Sequence, residues 1–140
     1  MSGRPEGMDM MSVAHVVAHK KKILLVDDSR TSLFVESMIL KNGPYTLVTA
    51  ADGEEAVLKA LSEHPDLILM DVVMPRMTGF EACRELRAQE PTRGIPIILV
   101  TTRGEDENVK TGFAAGCTDY VTKPINGVEL LAKVKEHVGH

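Results

Sequence analysis

The chain has 140 residues, of which 44% are hydrophobic, 26% charged and only 4% aromatic, with no Trp. That is one domain's worth of chain with an ordinary globular composition and an aliphatic core, which excludes a chain disordered throughout, a collagen-like chain and a coiled coil. The formal net charge of −4 is uneven: residues 1–22 carry four basic and two acidic side chains, residues 23–140 twelve and eighteen. An acidic body with few aromatics offers neither phosphate-neutralising charge nor stacking platforms, so direct nucleic-acid binding is not expected.

Residues 1–20 read as a flexible N-terminal tail, with Gly3, Pro5, Gly7 and four Met and no sustained periodicity. His15 and His19 stand at helical i,i+4 spacing but have no third ligand nearby, so no metal is expected there. Val13–Ala18 is too short for a signal-peptide core, and no apolar run approaches the ~18 residues of a membrane span. A cytoplasmic protein is expected. Cys83 and Cys117, the two cysteines, have no C-x-x-C spacing and read as small buried thiols.

From Lys22 onward, short apolar runs alternate with amphipathic segments. Ile23–Val26, Leu67–Met70 and Ile97–Val100 are four residues each; Tyr45–Ala50 is mixed, and Tyr120-Val121 belongs to a shorter run. Apolar runs without alternation suit strands covered on both faces, as in a parallel sheet. The segments between them predict helices over 29–42, 53–63, 79–89, 105–115 and 127–138. Ser29 is a plausible first cap, and Asn42-Gly43-Pro44 a strong stop. Asp52 with Glu55, Thr78 with Glu81 and Asn126 with Glu129 have the spacing of capping boxes. On the first helix, Leu33, Phe34, Met38 and Ile39 read mainly as a stripe facing the sheet.

Strand followed by helix, five times over, predicts an α/β protein: a flavodoxin-like (βα)5 doubly wound parallel sheet of strand order 2-1-3-4-5. Sites in such sheets lie at the carboxyl ends of the strands. There the sequence places Asp27-Asp28, Asp71, Thr101-Thr102 and Lys123-Pro124. Carboxylates ~4 Å apart repel by about 4 kcal/mol per pair at an effective dielectric of ~20. A hard divalent cation, Mg²⁺ or Mn²⁺, relieves that repulsion with oxygen ligands, and Lys123 adds positive charge. A cation site with a spare carboxylate points to phosphoryl chemistry, with Asp71 as nucleophile and Asp27 and Asp28 holding the metal.

These residues resemble the response-regulator receiver domain of two-component signalling over about residues 21–138. Asp27-Asp28 follows an apolar strand, and P-D-L-I-L-M-D-V-V-M-P-R-M-T-G spans Pro65 to Gly79 around Asp71. Thr101 stands 30 residues after Asp71, and Lys123-Pro124 begins 22 later, closing the segment A-G-C-T-D-Y-V-T-K-P from Ala115 to Pro124.

The resemblance implies a receiver domain over 21–140 whose Asp71 accepts a phosphoryl group from a phosphohistidine donor. Asp27, Asp28, Asp71 and the backbone carbonyl of Val73 would coordinate Mg²⁺. Lys123 would pair with Asp71, Thr101 would donate its hydroxyl to the phosphoryl group, and Tyr120 would be the switch aromatic. Thr102, Val73 and Arg103 would tune access and lifetime. Thr102 is bulkier than the residue common there, and Val73 offers no bond to an attacking water, which together imply slow small-molecule phosphodonors and a long-lived phosphoryl group. The expected partners are a histidine kinase or histidine phosphotransfer protein, docking near the first helix and the site rim where Leu33, Phe34, Met38 and Ile39 are the candidate contacts beside their core reading, and a downstream target met by the face of the fourth helix, fifth strand and fifth helix. The expected state is a monomer able to dimerise once phosphorylated. The chain is not expected to be an enzyme beyond promoting its own phosphorylation and dephosphorylation. With only Gly139 and His140 beyond the last helix, no output domain is expected. Two other readings stand beside this one. A flavin carrier is disfavoured by the acids in D-D-S-R-T and by the lack of a phosphate-binding glycine loop. A docking module that never binds Mg²⁺ is disfavoured by the intact set of strand-end residues.

Overall fold

The computed structural model describes residues 20–102 and 106–138; the His15 and His19 pair and Arg103 lie outside them. The strands are β1 (Lys21–Val26), β2 (Tyr45–Ala50), β3 (Leu67–Asp71), β4 (Ile97–Thr102) and β5 (Asp119–Lys123). The helices are α1 (Arg30–Leu40), α2 (Gly53–Glu63), α3 (Gly79–Ala88), α4 (Asp106–Ala115) and α5 (Gly127–Val138). All paired strands are parallel, in the order β2-β1-β3-β4-β5, as the sequence predicts.

The unbroken apolar runs follow from helices on both faces. Leu24, Val26, Ile68, Met70, Ile97 and Leu99 pack with Ala56, Ala82, Cys83 and Leu86 on the side of α2 and α3. Ile23, Leu25, Leu67, Leu69, Ile98 and Val100 pack with Leu40, Leu130 and Val134 on the side of α1 and α5. Each large aliphatic side chain so buried contributes about 1.5–3 kcal/mol. Both cysteines are buried free thiols, as expected.

The caps follow the sequence, but of the three expected boxes only that at Thr78 and Glu81 closes in both directions. Ser29 Oγ accepts from the Ser32 N–H at 3.2 Å. The reciprocal box forms at Thr78 and Glu81. At α2, Asp52 accepts from the Glu55 N–H, but Glu55 reaches past it to the Ala51 N–H. Asn126 caps α5 through the Glu129 N–H.

The expected stripe on α1 is corrected. Leu33 and Ile39 do pack on the core, but Phe34 is 65% exposed and Met38 43%. The buried positions of α1 are Glu36 and Leu40. A 3.6-residue period carries 33, 36 and 40 onto one face, so a glutamate takes a place that an aliphatic side chain would ordinarily fill.

Register sets the site. Val26 is paired with Met70, Asp71 with Val100 and Thr102 with Lys123, so the residues ending β1, β3, β4 and β5 gather along one edge. Gly79 lies directly beneath that edge. A Cβ there would overlap the Asp71 carbonyl oxygen and meet the Val72 Cα at 3.0 Å, both backbone atoms that cannot swing aside. Gly79→Ala is therefore expected to cost about 1–3 kcal/mol in urea unfolding. Gly94→Ala, with open space around it, is expected to stay within about 0.5 kcal/mol. Equal midpoints for the two variants would contradict this account of the edge.

Candidate functional site

The end of β1 turns sharply at Asp27. Its N–H donates to the Ala50 carbonyl at 3.1 Å, and its Oδ1 accepts from the Ser29 N–H at 2.8 Å. These bonds fix the carboxylate beside the start of α1 and leave Oδ2 buried with no hydrogen-bond partner. Asp27 is 1% exposed and Asp71 6%, whereas Asp28 is exposed to solvent. One carboxylate oxygen from each of Asp27, Asp28 and Asp71 falls within 4.8 Å of the others.

Lys123, the last residue of β5, faces two of the three. Its Nζ is 3.5 Å from Asp71 Oδ2 and 3.8 Å from Asp27 Oδ2. The Lys123–Pro124 peptide is cis. One ammonium does not offset the cluster. Burial, and then the charge of Asp27, push the Asp71 carboxyl up to about 6, against the pull of Lys123 and the Val73 backbone.

The orphaned Asp27 Oδ2 and the three converging carboxylates fit a hard divalent cation with oxygen ligands. Among the described residues, Asp119, Glu136 and His137 form a second group within ligand distance. There the Lys133 ammonium already lies 3.0 Å from Asp119 and His137 Nε2 2.9 Å from it, so the place of a cation is filled by the chain's own groups.

Thr101 is buried on β4, and its hydroxyl accepts from Asn108 Nδ2 on α4 at 3.3 Å. Thr102 is exposed beside Lys123 in the sheet. The Val73 side chain is 69% exposed, pointing away from the core. Tyr120 is half-buried. It meets Phe113 edge-to-face at 6.1 Å, with Lys133 Nζ 5.0 Å from its ring centre. The same ammonium bonds the Tyr120 carbonyl at 2.7 Å.

Sequence reasoning missed one charged residue here. Glu36 is 1% exposed, and its Oε1 has no hydrogen-bond partner. Burial, then Asp27, push its carboxyl up to about 8, opposed by Lys123. The available signal was its place between Leu33 and Leu40 on one helical face. Asn108 and Lys133 were also missed, since nothing local in the sequence ties either to Thr101 or Tyr120.

Comparison with known proteins gives one family. A family model described as the response regulator receiver domain matches residues 23–135. The chain is 41% identical over 115 residues to the alkaline phosphatase synthesis transcriptional regulatory protein PhoP of Bacillus subtilis, covering 82% of this chain and 47% of that one. It is 37% identical over 113 residues to protein PilH of Pseudomonas aeruginosa, covering 81% and 93%. The chain thus spans about half the length of the first curated relatives it matches, and nearly all of PilH. The receiver domain of the sensor histidine kinase PA1611 of Pseudomonas aeruginosa, solved with a magnesium ion coordinated in its active site cleft, superposes with a TM-score of 0.81. It is 34% identical, covering 87% of this chain and all of that one.

The raised Asp71 carboxyl makes stability depend on pH. Between about 4 and 6 the unfolded chain releases this proton while the folded chain keeps it, so the native state binds more protons and stability falls as pH rises. Above about pH 6 the penalty is complete. Asp71→Asn, which cannot ionise, is expected to raise stability at neutral pH by up to about 3 kcal/mol. The gain should shrink as pH falls toward about 4 in urea unfolding without divalent cations. The same gain at both pH values would contradict the assignment of strain to this carboxylate.

Proposed function

The chain belongs to the response regulator receiver domain family of two-component signalling, and we propose that it is a phosphorylation-driven switch with Asp71 as acceptor. The observation that carries this reading is the buried Asp71 carboxylate between two further carboxylates and the Lys123 ammonium at the edge of a parallel sheet. An Asp71 oxygen forms the new bond to phosphorus as the bond from phosphorus to a phosphohistidine nitrogen breaks. The released imidazole takes up a proton. Asp27, Asp28, Asp71 and the Val73 carbonyl would hold Mg²⁺ or Mn²⁺, which supplies charge neutralisation to the phosphoryl oxygens.

Each protein group has a part. Asp27 and Asp28 set the negative field that calls for a cation. Lys123 leaves its pairing with Asp27 and Asp71 to face the added phosphoryl charge, roughly −1.5 to −2 by analogy with phosphoserine. Thr101 gives up its acceptor role toward Asn108 and donates its hydroxyl to a phosphoryl oxygen. That bond ties α4 to the site, so its loss frees the face of α4, β5 and α5, where Tyr120 sits among Phe113 and Lys133. Phosphorylation shifts a pre-existing equilibrium of this face.

Residues 21–140 form the receiver unit in this reading. Its phosphodonor is a histidine kinase or histidine phosphotransfer protein, approaching the rim near α1, where Phe34 and Met38 are exposed. Its output is a protein target at the α4–β5–α5 face, and a second phosphorylated copy is the alternative occupant of that face. Among the described residues, no helix is long and apolar enough to cross a membrane. We place the switch in the cytoplasm, acting on no substrate other than its own aspartate. Thr102 is exposed beside Lys123 in the sheet, and in this reading its bulk narrows the entry of small donors.

Intact mass after incubation with Mg²⁺ and a small phosphodonor tests this. The expected result is one adduct of about 80 Da, a single phosphoryl group, absent in Asp71→Ala and persisting for minutes or longer in the wild type. An adduct that survives Asp71→Ala would overturn Asp71 as acceptor. Loss of the adduct within seconds would overturn the expectation that Val73 protects it.

A further inference from the structure

Between α1 and the segment after β5 lies a cavity of about 220 Å³, lined by Thr31, Ser32, Val35, Glu36, Lys123, Pro124 and Ile125. Thr31, Val35 and Pro124 are exposed and form its rim, whereas Glu36 is buried. Glu36 Oε1 finds no hydrogen-bond donor in the protein. An unpartnered buried polar atom is costly and needs an explanation.

We propose that this cavity is a binding site for an aliphatic ammonium group, its stem lying along Val35, Pro124 and Ile125 and its charge on Glu36. Three observations converge on that chemistry. The lining is mostly apolar, which suits a methylene stem carrying a polar head. A wholly apolar ligand would leave Oε1 orphaned, whereas an ammonium ion would draw the Glu36 carboxyl, which burial and then Asp27 push up to about 8, into its ionised, acceptor form. The charged groups felt at Glu36 are Asp27, Asp71 and Lys123. Lys123 is already engaged by the two aspartates, so the net field favours a cation and repels a carboxylate or phosphate. The inference applies to the unphosphorylated chain, in which Lys123 is paired with Asp27 and Asp71.

The ammonium has two sources, a free small amine or a lysine side chain of a docked protein. Amide NMR of the full chain separates them with two probes, n-butylammonium and lysine blocked at both ends by acetyl and methylamide groups. The expected result is saturable shifts at the amides of Val35, Glu36 and Ile125, weakened at least about tenfold by Glu36→Leu. Butyrate should leave them unmoved. Glu36→Leu is expected to fold, because an apolar side chain there removes a buried polar atom that has no hydrogen-bond partner. Glu36→Gln serves as a second variant of nearly unchanged shape. Blocked lysine binding as tightly as n-butylammonium supports a protein side chain as occupant; binding of n-butylammonium alone supports a free amine. Absent shifts, shifts only at Asp27, Asp28 and Asp71, or equal binding by wild type and both variants would overturn the site and leave Glu36 bonded to water alone.

Discussion

Like charge held together at the carboxyl edge of the sheet is the constraint on which the rest of this structure depends. Asp27 and Asp71 are nearly buried, Asp28 stands beside them, and one ammonium serves the group. At ~4 Å and an effective dielectric of ~20, each carboxylate pair costs about 4 kcal/mol. A small domain has a total stability of only ~5–15 kcal/mol. The aliphatic layers on both faces of the sheet, the capped helix starts and the close seat of Gly79 under Asp71 hold the carboxylates where they would not gather by themselves.

That strain gives the proposed switch its direction. Any positive charge brought to the edge is stabilised in proportion to the repulsion it relieves, and a phosphoryl group placed on Asp71 needs such charge to persist. The response would run along one connected path: Lys123 on β5, Thr101 on β4, its bond to Asn108, then α4 and Tyr120. Lys133 reinforces the far end of that path by binding Asp119, the Tyr120 carbonyl and the Tyr120 ring at once. Bonds from His137, Lys133 and the Tyr120 N–H outweigh burial and hold the Asp119 carboxyl below its ordinary range. One ammonium and one imidazole thus tie β5 to α5, while Asn108 on α4 meets the Thr101 hydroxyl at 3.3 Å.

Much of this was legible in the chain because it is written locally. Apolar runs with no alternation mark strands buried on both faces, and S/T/D/N followed three residues later by Glu marks helix starts. Parallel order then brings Asp27, Asp71, Thr101 and Lys123 to one edge without any side-chain detail. What escaped depends on facing directions across elements. Phe34 and Met38 looked like core, but the helix turns them outward and turns Glu36 inward. Arg87 belongs to no motif, yet its guanidinium bonds the carbonyls of Gly116, Arg93 and Ile95 and the Thr118 hydroxyl. Such long-range polar ties have no periodic signature.

The central claim is that the carboxylate edge is built to take one divalent cation. Calorimetric titration of Mg²⁺ into the full chain tests it most directly. The account predicts one ion per chain, with binding abolished by Asp27→Asn and by Asp71→Asn and retained in Asp119→Asn. Unchanged Mg²⁺ binding in Asp27→Asn, or loss of binding in Asp119→Asn alone, would contradict it.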